Sequence, residues 1–265
     1  MLSKFESTVI GEFDWIMQGD FPKTLEQSLS TNDNESLLQY LYLFMEEGLI
    51  EEAFDLSLKM DPQTVTLYIL GQLSSGHAAI NYYKQGISMD KNDNSKMTAY
   101  LAMIEIYMTD LCDEANASDV CNELIDCCLG LNQPTSDLYF AISDVRLCQL
   151  ENAKSKGAVE TAVNLYIENF YTETPKNIPT YDSRIKGSKV CIELGLIDMA
   201  LDILKTCEYE FDEDLDMLYL TSYCYCLLSD TESSNIYLEK LKTLDLEKEY
   251  QQGIEDIRLK LQLLV

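Results

Sequence analysis

Apolar residues recur at intervals of three and four along most of the chain, whereas the alternation typical of a β-strand is almost absent. Between residues 36 and 61 this spacing is interrupted once, at Gly48, and the segment ends just before Pro62. Spacing of this kind places apolar side chains on one face of an α-helix, and a following proline stops the helix. The pattern predicts two amphipathic helices joined by a tight turn.

The same arrangement returns further along the chain. Residues 48–56, Gly-Leu-Ile-Glu-Glu-Ala-Phe-Asp-Leu, are echoed 147 residues later by residues 195–203, Gly-Leu-Ile-Asp-Met-Ala-Leu-Asp-Ile. That offset is about four periods of roughly 34 residues plus loop insertions, and 34 residues is the tetratricopeptide period. In each copy the glycine permits the turn, and the small alanine lets the paired helices approach closely.

These signals predict an all-α fold, a tetratricopeptide-type helical-repeat superhelix (α-solenoid). Residues 35–244 are predicted to hold about six repeats, two of them irregular. Residues 1–34 are predicted to form N-terminal capping helices around Trp15, and residues 245–265 a C-terminal capping helix. Stacked hairpins bury one another's apolar faces, and the first helix of each hairpin then lines a groove that is available for binding.

The charge balance narrows the choice of partner. Nineteen Lys and Arg residues stand against 46 Asp and Glu residues, which gives a formal net charge of −27. A field of this sign repels nucleic acid and anionic membrane and attracts basic protein segments, although acidity also serves solubility. No apolar run approaches the ~20 residues of a membrane span, and the first residues have no apolar signal-peptide core, so an intracellular protein is expected.

Candidate chemistry is scarce. The nine cysteines are odd in number, contain no Cys-x-x-Cys pair and are far in sequence from His77, the single histidine. They are expected to be small core residues rather than disulfides or metal ligands. Phosphate-binding loops, nucleophile elbows and zinc-protease motifs are also missing from the sequence. The sequence therefore predicts a binding protein without catalytic residues, metal or cofactor.

Groove residues are predicted by placing the sequence on positions of the first helix of each repeat. Carboxylates pair with Arg and Lys, and aromatic faces stack on guanidinium groups. The same tyrosines also fit an inter-repeat core, and the acidic run at residues 208–216 fits either a solvated face or a steering rim. The predicted partner-binding residues are Glu35, Tyr42, Tyr68, Glu105, Asp110, Asp137, Phe140, Asp144, Asp182, Asp216, Tyr219 and Tyr223.

Three segments carry a family resemblance. The most specific is Glu-Ile-Tyr-Met-Thr-Asp-Leu-Cys-Asp-Glu at residues 105–114, within a similar stretch from residue 99 to 121. The second is Ile-Pro-Thr-Tyr-Asp-Ser-Arg-Ile at residues 178–185, and the third runs from the acids at 212–214 to the Tyr- and Cys-rich helix ending at residue 228. Over roughly residues 55–245 the chain resembles the fungal tetratricopeptide assembly chaperones of large-subunit ribosomal protein L-four (rpl4). The third segment lacks the family's tryptophan.

The resemblance implies a dedicated chaperone. Such a protein binds the long basic internal loop of newly made rpl4, keeps this client soluble in the cytoplasm and nucleus, and releases it to the assembling pre-ribosome. A monomer is expected.

Two other classes remain open. One is a different tetratricopeptide scaffold, such as a coat, cochaperone or permanently assembled structural subunit. Cochaperones that clamp an acidic chain terminus need basic groove residues, and here those are sparse (Arg146, Arg184 and Lys189). The other is an enzyme, which the missing motifs disfavour.

Overall fold

The computed structural model describes residues 21–131, 134–175, 178–242, 244 and 248–262. The predicted helices around Trp15 in residues 1–20 lie outside this part, as do the first and last residues of the predicted C-terminal cap. The described residues form fourteen α-helices, one short 3-10 helix and no β-strand. The all-α prediction is therefore confirmed, whereas the predicted boundaries at residues 34 and 244 stay a prediction.

The chain divides into two compact units, residues 1–111 and residues 112–265. The first unit contains α1 (Phe21–Thr31), α2 (Asn34–Glu46), α3 (Ile50–Lys59), α4 (Thr64–Gln72), α5 (Gly76–Met89) and α6 (Asp93–Met108). In this unit each helix packs against the next one along the chain, and α4 and α5 form the most extensive contact.

The second unit continues the same arrangement. It contains α7 (Ala117–Leu129), α8 (Ser136–Cys148), α9 (Asn152–Tyr166), a 3-10 helix (Ile167–Asn169), α10 (Tyr181–Glu193), α11 (Ile197–Glu208), α12 (Leu215–Leu227), α13 (Thr231–Leu241) and α14 (Lys248–Gln262). Its hairpins are α8/α9, α10/α11 and α12/α13, and in each the two helices contact one another most extensively.

One turn geometry joins five pairs of consecutive helices. One residue of each turn has a positive φ, namely Asn32 (54°), Gly48 (70°), Leu150 (61°), Gly195 (73°) and Ser229 (59°). In each turn the amide of the next residue donates to a carbonyl five residues back, as from Leu196 to Cys191 at 2.8 Å. This is the Schellman arrangement, which satisfies the last carbonyls of a helix. The repeated glycine phrase was thus a correct sign of the turn, although Leu150 and Ser229 adopt it without glycine.

Small side chains lie where the helices of a hairpin meet. Ser143 and Ser155 are fully buried, and each hydroxyl donates to the backbone carbonyl of the other residue, at 2.9 and 2.8 Å. Ser222 and Ser234 form the same reciprocal pair at 3.1 and 2.9 Å. Because both hydroxyls are satisfied, these buried polar groups stabilise the close approach of the helices instead of opposing it. These small serines are therefore helix-contact positions of their repeats.

The cysteines take part in this core. All nine are free, and six of them are buried: Cys121, Cys128, Cys191, Cys207, Cys224 and Cys226. Burial raises the pKa of the Cys191 and Cys224 thiols to about 12. Such thiols are neutral and behave as small apolar residues.

Candidate binding surface

The first helices of successive hairpins lie side by side in the second unit. Helix α8 contacts α10, α10 contacts α12, and α12 contacts α14, which takes the place of a further first helix. We call α8, α10, α12 and α14 the first-helix row. The second helices α9, α11 and α13 each pack on their hairpin partners in this row. The opposite side of the row is therefore the one that a partner can reach.

Glycines set the spacing of the row. A Cβ on Gly187 of α10 would lie 2.4 Å from a ring carbon of Phe140 in α8, and a Cβ on Gly253 of α14 would lie 2.6 Å from the Tyr219 hydroxyl in α12. Each ring therefore rests directly on the backbone of the neighbouring first helix. The result corrects one prediction, because Phe140 is 4% exposed and belongs to the core rather than to an accessible surface.

Carboxylates near the helix starts connect neighbours in the row. Asp137 accepts hydrogen bonds from the amide of Thr180 at 3.1 Å and from its hydroxyl at 3.4 Å, at the start of α10. Asp216 accepts one from Lys189 at 2.8 Å and one from the hydroxyl of Tyr250. Burial acts to raise the pKa of Asp216, but these two hydrogen bonds outweigh it, and the pKa lies below its usual value. Both predicted residues thus fix the row and also place negative charge on it.

Aromatic rings extend this surface toward α14. The rings of Tyr219 and Tyr223 are parallel with centroids 6.4 Å apart, and the ring of Tyr250 stands nearly perpendicular to Tyr219 at 5.8 Å. The ammonium of Lys260 lies 5.1 Å from the centre of the Tyr223 ring. This cluster already holds a cation of the protein itself over a tyrosine face. Sequence reasoning missed Tyr250 and Lys260 because it treated α14 only as a cap.

The two other predicted acids of this unit differ in their surroundings. Asp182 is exposed in the first turn of α10, whereas Asp144 is half-buried in α8 and takes part in further polar contacts. Asp182 is thus the more accessible carboxylate.

The predicted residues of the first unit are spread over separate helices. Glu35 and Tyr42 are exposed on α2, and Glu105 is exposed on α6. Tyr68 rests on Gly86 and donates a hydrogen bond to Asp90 at 2.9 Å; burial and this bond raise its pKa.

Asp110 has a structural role in the same unit. Its carboxylate accepts a hydrogen bond at 2.9 Å from the amide of Gly76, the first residue of α5. Negative charge at the start of a helix stabilises it. The predicted residues Tyr68 and Asp110 are thus engaged within the fold.

The acidic run at residues 208–216 is divided between structural and exposed positions. Glu208 accepts hydrogen bonds from Tyr237 and Lys240, both at 2.9 Å, and Asp214 caps α12 by accepting from the Met217 amide at 2.8 Å. Glu210 pairs with Arg184 at 2.6 Å. Asp212 and Glu213 are exposed. The structural roles of Glu208, Glu210 and Asp214 fit neither interpretation left open by the sequence, and only Asp212 and Glu213 still allow both a solvated face and a steering rim.

The sparse basic residues near the first helices also have partners within the fold. Arg184 is only 1% exposed and donates to the carbonyl of Thr206 at 2.9 Å. Arg146 donates to Asn122 and Gln149, both at 2.6 Å. These arginines therefore hold the repeats together and do not offer free positive charge to an acidic partner.

Within the described ranges, no group of His, Cys, Asp or Glu side chains is arranged to hold a metal ion. No described helix is both long enough and apolar enough to span a membrane.

No family model matches the chain. A protein of Schizosaccharomyces pombe named "Probable assembly chaperone of rpl4" is 25% identical over 183 residues, which cover 64% of this chain and 54% of that protein. A protein of Emericella nidulans with the same name is 24% identical over 117 residues, covering 44% of this chain and 30% of that protein. The chain thus spans about half the length, or less, of the curated relatives it matches.

A solved structure supports the fold. The structure described as "Assembly Chaperone of RpL4 (Acl4) (Residues 1-338)" has a TM-score of 0.70 at 17% identity, and the match covers 89% of this chain and 98% of the solved one. At this identity the likeness concerns the fold. The helical-repeat prediction is therefore confirmed, and so is the predicted resemblance: the chain is similar to proteins named as fungal assembly chaperones of rpl4.

Proposed function

We propose that the chain is a chaperone that binds the basic internal loop of newly made rpl4, keeps it soluble in the cytoplasm and nucleus, and releases it to the pre-ribosome. The observation that carries this proposal is the similarity over 183 residues to a protein named as a probable assembly chaperone of rpl4. The chain acts as a non-enzymatic scaffold, since this role requires binding and release but no chemical step.

The charge of the protein supports the same conclusion independently. A net charge of −27 produces a field that attracts Lys- and Arg-rich segments and speeds their association. A ribosomal segment that later contacts RNA is positively charged, so an acidic protein can occupy it beforehand. Ribosomal RNA then competes for the same positive groups, which provides a physical route to release.

The first-helix row offers the contacts for such a segment. Asp182 is exposed on the row, and Asp216 and Tyr223 are held at its C-terminal end, where Lys189 and Lys260 pair with them. The Lys189–Asp216 ion pair is partly exposed, and exposed ion pairs contribute little stability. The cation–π contact of Lys260 with Tyr223 is exposed on the lysine side and is also weak. An arginine of the client can therefore replace either lysine at small cost, because the carboxylate or the ring gains a new partner as it loses the old one.

Titration of the rpl4 internal loop against the purified protein tests the proposal. The informative variant is Asp182→Asn/Glu193→Gln, because these exposed acids are eleven residues apart on α10 and lie on one face of it. The matched control is Asp119→Asn/Asp126→Asn on α7, which removes the same charge from two exposed acids outside the row. We expect the first variant to weaken binding several-fold more than the second.

Two results contradict the proposal. If wild-type protein does not bind the loop at low ionic strength, the client is wrong. If both variants weaken binding equally, only the total charge matters and the row is not the binding surface. Binding must also weaken as salt is added, because charges are screened over about 8 Å at physiological ionic strength.

A further inference from the structure

A second aromatic surface lies away from the predicted residues, where the segment after α9 meets the turn between α11 and α12. Tyr171 is 62% exposed, Tyr209 is 74% exposed and Phe211 is 46% exposed. The rings of Tyr171 and Tyr209 are perpendicular, with centroids 5.8 Å apart. We call Tyr171, Tyr209, Phe211 and the neighbouring Glu210 the repeat-edge patch.

The patch has a rigid base. Phe170 is 8% exposed, and its ring lies 4.9 Å from the ring of Tyr171 and 6.0 Å from that of Tyr209. The Tyr181 ring supports Phe211 at 5.1 Å. In the turn, the amides of Glu210 and Phe211 both donate to the carbonyl of Cys207, at 3.0 and 2.9 Å. The exposed rings are thus held in place by the fold, so little conformational entropy is lost when a partner binds them.

The inner side of this base already binds a guanidinium. The Arg184 guanidinium carbon lies 5.2 Å from the centre of the Phe170 ring, and its Nη2 atom lies 2.6 Å from a carboxylate oxygen of Glu210. A guanidinium between a ring and a carboxylate is therefore stable here. The outer side of this base exposes the same two kinds of group, aromatic rings and carboxylates, to solvent.

The charge around the patch selects the sign of its partner. Neither residues 167–175 nor residues 208–214 contain Lys or Arg. Both segments contain exposed acids, namely Glu168, Glu173, Asp212 and Glu213. Exposed rings surrounded by carboxylates favour a cation and disfavour both nucleic acid and a second copy of this acidic chain.

We propose that the repeat-edge patch binds arginine side chains of a basic protein segment, as a second contact separate from the first-helix row. Arginine is preferred to lysine because its planar group stacks on tyrosine faces while it bonds to carboxylates. That the segment belongs to rpl4 rests on the function proposed above. The preference for arginine does not rest on that function, because it follows from the rings and carboxylates of the patch itself.

Calorimetric titration with nona-arginine and nona-lysine peptides tests this assignment. The variant Tyr171→Ala/Tyr209→Ala removes two exposed rings, and Tyr171→Phe/Tyr209→Phe keeps the ring faces as a matched control. We expect the alanine variant to bind nona-arginine about five- to twentyfold more weakly, since each exposed cation–π contact contributes roughly a factor of two to five. The phenylalanine variant should bind like wild type, and nona-lysine affinity should change much less.

Other results overturn the proposal. Equal nona-arginine affinity in the alanine variant excludes arginine binding at the rings, and an equal loss for both peptides excludes the arginine preference. A wild-type dimer that becomes a monomer in the alanine variant assigns the patch to self-association instead. The rpl4 loop separates the two proposals: if wild type does not bind it while the arginine preference persists, the proposed client fails and the patch stands. If wild type and the alanine variant bind it equally, the patch is not used for rpl4.

Discussion

Gly187 allows the Phe140 ring of α8 to rest on the backbone of α10, and replacing it with alanine tests how the first-helix row is built. The added Cβ would lie 2.4 and 2.5 Å from two ring carbons of Phe140, whereas ordinary contacts lie at 3.4–4 Å. The ring must therefore move by about 1 Å to restore a normal van der Waals distance. Phe140 is 4% exposed and its ring stands 6.3 Å from that of Tyr166, so it cannot swing into solvent.

The expected loss follows from two opposing effects. Overfilling a packed core costs about 1–3 kcal/mol. Alanine in place of glycine inside a helix returns about 0.5–1 kcal/mol. Gly187→Ala should therefore lower the free energy of unfolding by about 1–2 kcal/mol.

Two other glycines receive the same methyl group as controls. Gly157 in α9 has no neighbouring atom within 4 Å of its added Cβ, so Gly157→Ala should stabilise the protein by about 0.5–1 kcal/mol. Gly195 also has no neighbour within 4 Å, but its φ is +73°. Gly195→Ala should therefore cost about 1 kcal/mol through backbone strain alone.

Urea unfolding followed by far-ultraviolet circular dichroism, with the thiols kept reduced, measures the free energy of unfolding of all three alanine variants. The double variant Phe140→Leu/Gly187→Ala completes a thermodynamic cycle, because leucine occupies less of the space that the new methyl group needs. We expect the double variant to be more stable than the sum of its single changes by about 1 kcal/mol or more. If the stability changes of the two single variants are additive, or if Gly187→Ala is as stable as wild type, the Phe140–Gly187 contact does not fix the row.

Three further predictions use the same unfolding measurement. Leu150→Gly should stabilise by about 0.5–1 kcal/mol, because Leu150 has φ of 61° and is 88% exposed; a lower midpoint would contradict this. Glu210→Ala should cost about 2 kcal/mol, since it leaves the buried Arg184 without its carboxylate, whereas an unchanged midpoint would mean that the pair contributes nothing. The lowered pKa of Asp216 means that its ionised form stabilises the fold above the ordinary value of 3.8, and that this stability is lost as pH falls through the lower folded-state pKa. Asp216→Asn should therefore flatten the loss of stability below about pH 4, and an unchanged slope would count against this role.

Periodic apolar positions were enough to predict the helices and hairpins. The Gly48 and Gly195 phrases predicted their turns correctly, because a positive φ at that point favours glycine so strongly. The small alanine of each phrase, Ala53 and Ala200, is fully buried, as its predicted role in close helix packing requires. These features depend on local backbone geometry and on the spacing of small and apolar residues, and both are visible in one segment of sequence.

Tertiary contacts decided which acids and rings are exposed, because residues distant in sequence meet only when the hairpins stack. Phe140 and Tyr219 share a helix position, yet Phe140 is buried on Gly187 while Tyr219 also joins the rings around Tyr250. Arg184 looked like a surface charge, but the segment after α9 and the turn after α11 enclose it. Tyr171 and Tyr209 belong to these same two segments, but their rings are exposed. Composition alone thus predicted the sign of the partner's charge from the net charge of −27, whereas packing between hairpins determined which acids and rings are exposed.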